Sequence, residues 1–190
     1  MRLASLPMLV SALALFGCSE AAEPLRYATP SPATDTRVSI SLASGSVREV
    51  SLPSYATEEG IAVADASGVI TSAPESIWAD EPTRAVTLRL TNALADMTGR
   101  VVASDPWPFR DDPDAVVEVR LEDFVAERAG RFIAQGRYYV AYEVEDRTDR
   151  ALSFRLVQPY DPEGGFAAIA AARAQVIAAL AQDIARRGLR

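Results

Sequence analysis

Residues 115–144, AVVEVRLEDFVAERAGRFIAQGRYYVAYEV, alternate apolar and polar side chains on both sides of a short turn sequence. Successive strand residues point to opposite faces, so a period of two builds a sheet with one apolar side. Val117, Val119 and Leu121 share one face, and Glu118, Arg120 and Glu122 share the other. The second run puts Phe132, Ala134, Tyr138, Val140, Tyr142 and Val144 together, and the intervening ERAG reads as a hairpin turn closing on glycine. A sheet that is apolar on one side must be covered, which restricts the fold to layered arrangements.

Two helical segments supply the cover. Val86, Leu90, Ala93, Leu94 and Met97 recur at spacings of three and four, with Asp80 as the expected N-cap, Pro82 in the first turn and Gly99 just past the end. Near the C-terminus Phe166, Ile169, Val176, Ile177, Leu180 and Ile184 form a second stripe, and Arg186 and Arg187 suit the negative end of that helix. The glycines of EGG, 163–165, read as a helix entry rather than a phosphate loop. Arg173 falls beside the stripe, so its head must either reach solvent along its stem or find a partner inside. Further strands are expected at ALSFRLVQ, at RVVAS, and on either side of a turn from Asp65 to Gly68. Another is expected where Val38, Ile40 and Leu42 alternate with serines. The expected fold is α+β: a two-layer sandwich, mainly antiparallel sheet, packed with two amphipathic helices, each covering a face of the sheet.

No disulfide can support this core, because Cys18 is the sole cysteine. It ends an apolar run that follows Arg2. The apolar stretch, about a dozen residues, is short of the roughly 20 needed to span a bilayer and fits a secretory signal peptide. Leu15-Phe16-Gly17-Cys18 resembles a bacterial lipobox. The chemistry this implies is S-diacylglycerol on the thiol, cleavage before Cys18 and N-acylation of the new amine. Each buried methylene contributes roughly 0.8 kcal/mol, and two chains suffice for stable anchoring. Residues 1–17 are thus read as signal peptide, 18–36 as an acylated N-terminus with a Pro/Ala-rich tether, and 37–190 as one periplasmic domain. Tyr27 interrupts the tether composition and suggests a short docked strand near LRYAT.

Histidine and lysine are both absent, and all nineteen basic residues are arginine. Ser-His-Asp, Cys-His, Ser-Lys, Schiff-base and P-loop chemistries are therefore excluded. Zinc sites draw on Cys and His, and DDPD at 111–114 lacks the spacing and glycine of an EF-hand, so it reads as a surface turn. No cofactor, metal or catalytic residue is expected. A net charge of −7 disfavours nucleic acid as a ligand.

In order and spacing, the lipobox, RYATP, LPSYATEEGIAVADASGVITSAPESIWADEP, VEVRLEDFVAERAGRFIAQGRYYVAYEV and GGFAAIAAARAQVIAALAQDIA resemble the ABC-type transport auxiliary lipoproteins, the PqiC/YmbA-like family. The resemblance covers nearly all of the mature chain. It departs at IAVADAS, where members often carry a basic residue, and at Thr83, where they usually have leucine. What it implies is a non-catalytic lipoprotein partnering an MCE-domain protein of an ABC transport complex, in intermembrane lipid transport. It also implies the outer membrane, periplasmic face, because Ser19 rather than aspartate follows the cysteine. The alternative is a self-contained lipid carrier, which needs an apolar cavity of roughly 300 Å³ or more.

The residues expected to touch a partner are Leu52, Pro53 and Tyr55, on a loop of proline and glycine, and Tyr139, which faces away from Tyr138 and Tyr142. Trp78 is expected to pack at the helix entry against the sheet.

Overall fold

The computed structural model describes residues 23–31 and 36–190. The hairpin that dominates the sequence dominates the fold. Strand β6 (Ala115–Glu127) runs antiparallel to β7 (Arg131–Tyr142), and β7 to β8 (Arg150–Pro159). Gly130, at φ 82°, closes the turn, where a Cβ would lie 2.6 Å from the Tyr160 carbonyl oxygen.

The other edge of β6 is shared. Near its start it pairs in parallel with β2 (Ser44–Val47), which pairs in parallel with β5 (Val101–Ser104). Near its end it pairs in parallel with β3 (Gly60–Ala64), which turns back into β4 (Ile70–Trp78). Strand β1 (Leu25–Tyr27) adds to β4 in parallel. The eight strands make one mixed sheet whose long ladders are antiparallel.

Helix α2 (Pro82–Thr98) begins at Pro82, and Gly99, at φ 64°, ends it, as expected. Its N-cap is Glu81 rather than Asp80: the Glu81 carboxylate accepts the N–H groups of Thr83 and Arg84, while Asp80 accepts that of Glu81. Burial raises the affinity of the Glu81 carboxyl for its proton, but these N–H donors outweigh it and the pKa falls below the usual value. Helix α3 (Gly165–Asp183) follows a 3₁₀ turn, Pro162–Gly164, and ends in a π-turn, Ile184–Gly188. α3 is long and apolar enough to cross a membrane by composition, yet its inward face lies in the core.

Two further expectations change. Both helices pack together on the same face of the sheet, with Leu90, Leu94, Ile177 and Leu180 in one core with Val117, Val119, Tyr138 and Val140. The opposite face of β6–β8 carries the charged row Glu118, Arg120 and Arg137, and its apolar part is the short row Val125, Ile133 and Val157, outside the main core cluster. Val38, Ile40 and Leu42 are buried alternately but form no strand. The Val38 N–H goes to the carbonyl of Met97 and the Ile40 carbonyl accepts from Arg100, so this segment lies along the end of α2. The segment around Tyr27 docks on the domain. β1 bonds to β4, Tyr27 packs on Phe166 at 5.7 Å, and Thr29 is buried. The short strand anticipated near LRYAT is there.

Candidate functional site

Arg173 answers its sequence riddle from within the core. It is 1% exposed, and its guanidinium carbon lies 4.0 Å from the centre of the Trp78 ring and 5.6 Å from that of Phe124. It donates to Thr29 Oγ1 at 3.0 Å and to the Pro82 carbonyl at 3.3 Å, while its Nε has no partner. Burial pulls its pKa down to about 10, against the upward pull of Glu81 and Asp80. Stacking on an indole offsets part of the desolvation cost of a guanidinium held inside the protein. Trp78, the last residue of β4, is 7% exposed and packs where expected, at the entry to α2.

The segment 52–55 lies alongside this junction. Ser51 bridges to Arg120 of β6, and its carbonyl accepts the Leu121 N–H at 2.9 Å. Pro53 precedes the single turn α1 (Ser54–Thr57), and Leu52 and Tyr55 are half-buried against the core. The Tyr55 hydroxyl accepts the N–H of Phe124 at 3.1 Å. This loop fills the stretch of β6 edge between β2 and β3. The space among Tyr55, Trp78, Phe124, Phe132 and Arg173 is about 10 Å³, room for one water.

Tyr139 sits on the open face, as its parity required, beneath the Arg120 guanidinium at 5.1 Å. Arg120 and Arg48 both donate to Glu118, at 2.7 and 2.8 Å. The Arg120 hydrogen bond, more than the one from Arg48, holds the Glu118 carboxyl below its usual pKa.

One surface feature escaped the sequence reading, which treated DPWPFRDDPD only as a Pro-rich loop. Trp107 and Phe109 stand edge to face at 4.9 Å, and Phe109 is 54% exposed. The loop is held from both ends. Asp105 accepts from the Ser46 hydroxyl at 2.7 Å, and Asp114 accepts the Ala43 N–H at 2.6 Å. The Trp107 indole N–H donates across it to the Asp111 carbonyl at 2.7 Å. An aromatic pair spaced by a single proline, Trp107-Pro108-Phe109, was the signal that could have identified it. Cys18 lies outside the described residues.

A family model for the ABC-type transport auxiliary lipoprotein component matches residues 26–185. The chain belongs to that family. No match was found among curated proteins. Two crystal structures share the fold of this auxiliary lipoprotein component. One, of an uncharacterised protein, has 21% identity, covers 80% of this chain and 98% of its own, and has a TM-score of 0.63. The other, a Xanthomonas campestris protein of the DUF330 family, has 18% identity, covers 87% and 95%, and has the same TM-score. Membership makes this an auxiliary component of an ABC-type transport system, in a lipoprotein family rather than an enzyme family.

Proposed function

We propose that this auxiliary lipoprotein is a non-catalytic adaptor, acylated at Cys18 and held on the periplasmic face of the outer membrane. On this reading it presents its domain to an MCE-type subunit of a lipid-transporting ABC system. Anchoring confines the encounter to the membrane surface and raises the effective concentration of the pair.

The observation that carries the adaptor reading over the carrier reading is the filled interior. Arg173 on Trp78 fills the space between sheet and helices to a gap of about 10 Å³, far below the volume of an acyl chain, and the apolar cleft of about 270 Å³ beside the start of α3 is open to solvent. The partner surface on this reading is the open face around Tyr139 with the Trp107–Phe109 loop near the same end of β6. Asp105, Asp111, Asp112 and Asp114 against Arg110 make the loop acidic, which suits an apolar socket with a basic rim. Leu52, Pro53 and Tyr55 would support that surface from beneath.

The test is crosslinking in the native host followed by mass spectrometry, alongside a Cys18→Ala variant. Recovery of an MCE-domain protein, and loss of both membrane fractionation and complementation in the variant, are expected. A soluble variant that restores the envelope phenotype, or stoichiometric phospholipid inside the purified domain, would sink the adaptor reading.

A further inference from the structure

The strand directions give the domain two unlike ends. β3 runs parallel to β6, and Val63 and Ala64 lie opposite Ala126 and Glu127. The β3–β4 turn, Asp65–Val69, therefore projects from the same end of the sheet as the β6–β7 turn at Arg128–Gly130. The loop with Trp107 and Phe109 enters β6 at its start, the opposite end.

β1 is parallel to β4, with Leu25 opposite Ser76 and Tyr27 opposite Trp78, and β4 runs away from its turn. The chain preceding Leu25 thus leaves toward the β3–β4 turn. From Cys18 to Leu25 the contour is at most about 25 Å. The turn lies only about 13 Å beyond the level of Leu25, the four strand steps from Gly60 to Ala64. At full extension along the line of β1 that contour reaches about 12 Å past the turn, so an anchor at Cys18 allows this end to meet the bilayer. The aromatic loop lies about 26 Å the other way, the eight steps from Asp123 back to Ala115.

The exposed large apolar residues divide along the same axis, with Val101 and Phe109 at the aromatic-loop end. Leu25 (62%), Val69 (55%), Ile70 (37%) and Val157 (41%) all lie toward the anchored end. Beside them Val63, Tyr160, Phe166 and Ile169 line an open cleft of about 270 Å³ with Arg128 at its side. The turn is stiffened for contact: the Asp65 carboxylate accepts the N–H groups of Ser67 and Val69 at 2.8 and 3.0 Å. Apolar tips next to an arginine suit a surface with an acyl layer beneath phosphate groups.

We infer that the β3–β4 turn, led by Val69 and Ile70, dips into the bilayer that holds the anchor, so that the domain rests on the membrane with Arg128 at phosphate level. The inference rests on the lipid-anchor reading above and adds a second, non-covalent contact and a fixed orientation. Because Cys18 is acylated on that reading, a cysteine introduced elsewhere is the only free thiol. The full lipoprotein carrying Val69→Cys or Phe109→Cys is labelled with an environment-sensitive fluorophore. It is then reconstituted in phosphatidylethanolamine/phosphatidylglycerol vesicles containing nitroxide-labelled lipid. The label at 69 is expected to shift to shorter wavelength and lose most of its emission, and the label at 109 to remain unquenched. Vesicle flotation reads the anchor separately. Protein that floats with both labels unquenched, or with 109 quenched and 69 free, overturns the orientation alone. Protein that fails to float overturns the anchor and this inference with it.

Discussion

The hydroxyl of Tyr55 accepts the backbone N–H of Phe124 one residue past the point where β6 slips register against β7. A loop residue thus completes the hydrogen bonding of a strand interrupted by a bulge. Burial raises the Tyr55 pKa, so the phenol stays protonated across the physiological range. Tyr55→Phe leaves that N–H without its acceptor and should cost about 1–2 kcal/mol, read as a lower denaturant midpoint at unchanged slope.

Gly136 faces the same irregularity from β7. A Cβ there would lie 2.1 Å from the Arg120 carbonyl oxygen and 3.0 Å from the Leu121 Cα. Neither is the movable end of a side chain. Gly136→Ala should destabilise the domain by about 3 kcal/mol or more, and thermal melting at wild-type level would show that the bulge can re-form elsewhere.

Arg173→Ala removes the cation from the Trp78 face and both its hydrogen bonds, leaving a hole beneath β1. We expect a loss of about 2–4 kcal/mol. The informative readout is hydrogen exchange: protection at Tyr27 and Ala79, whose backbone groups join 25–31 to the end of β4, should fall more than protection in β7. Arg173→Lys should not rescue it, because an ammonium cannot reproduce the planar stack.

Glu118 gives the pH dependence a definite sign. Its folded pKa is lowered, chiefly by Arg120, so its contribution is present above the ordinary carboxylate range and is lost as pH falls through the folded value. The gap in Tm between wild type and Glu118→Gln should narrow below about pH 4. A gap that stays constant to pH 3 would mean that the two arginines do not stabilise the charged form.

Phe109→Ser should leave the stability unchanged within about 0.5 kcal/mol, since the ring is 54% exposed. If the loop docks the transport partner, crosslinking yield falls in this variant.

What the sequence makes legible is whatever has a local period. The β6–β7 hairpin, the two helical stripes, the Gly99 stop and the inward Tyr138 with outward Tyr139 all follow from spacing alone. Which side of the sheet each helix takes does not, because a stripe says that a face is buried without naming what buries it. Val38, Ile40 and Leu42 show the converse: alternation reports alternate burial, and a helix end produces it as well as a strand does. Arg173 was recognisable as a problem, but its solution needed Thr29, Trp78 and Pro82, which lie far apart in the chain. The Trp107–Phe109 pair was hidden by its prolines, which signal a loop and say nothing of how rigidly its aromatics are held.

The parallel pairing of β1 with β4 sets how this protein bears mechanical load. A pull on the N-terminal segment acts along the hydrogen-bonded ladder in shear, so all its bonds must give at once, instead of peeling apart in sequence. Thr29 then passes the strain to Arg173 and the middle of α3. If the chain is anchored as proposed, tension on that segment is taken up by the core of the domain, with Arg173 as the rivet.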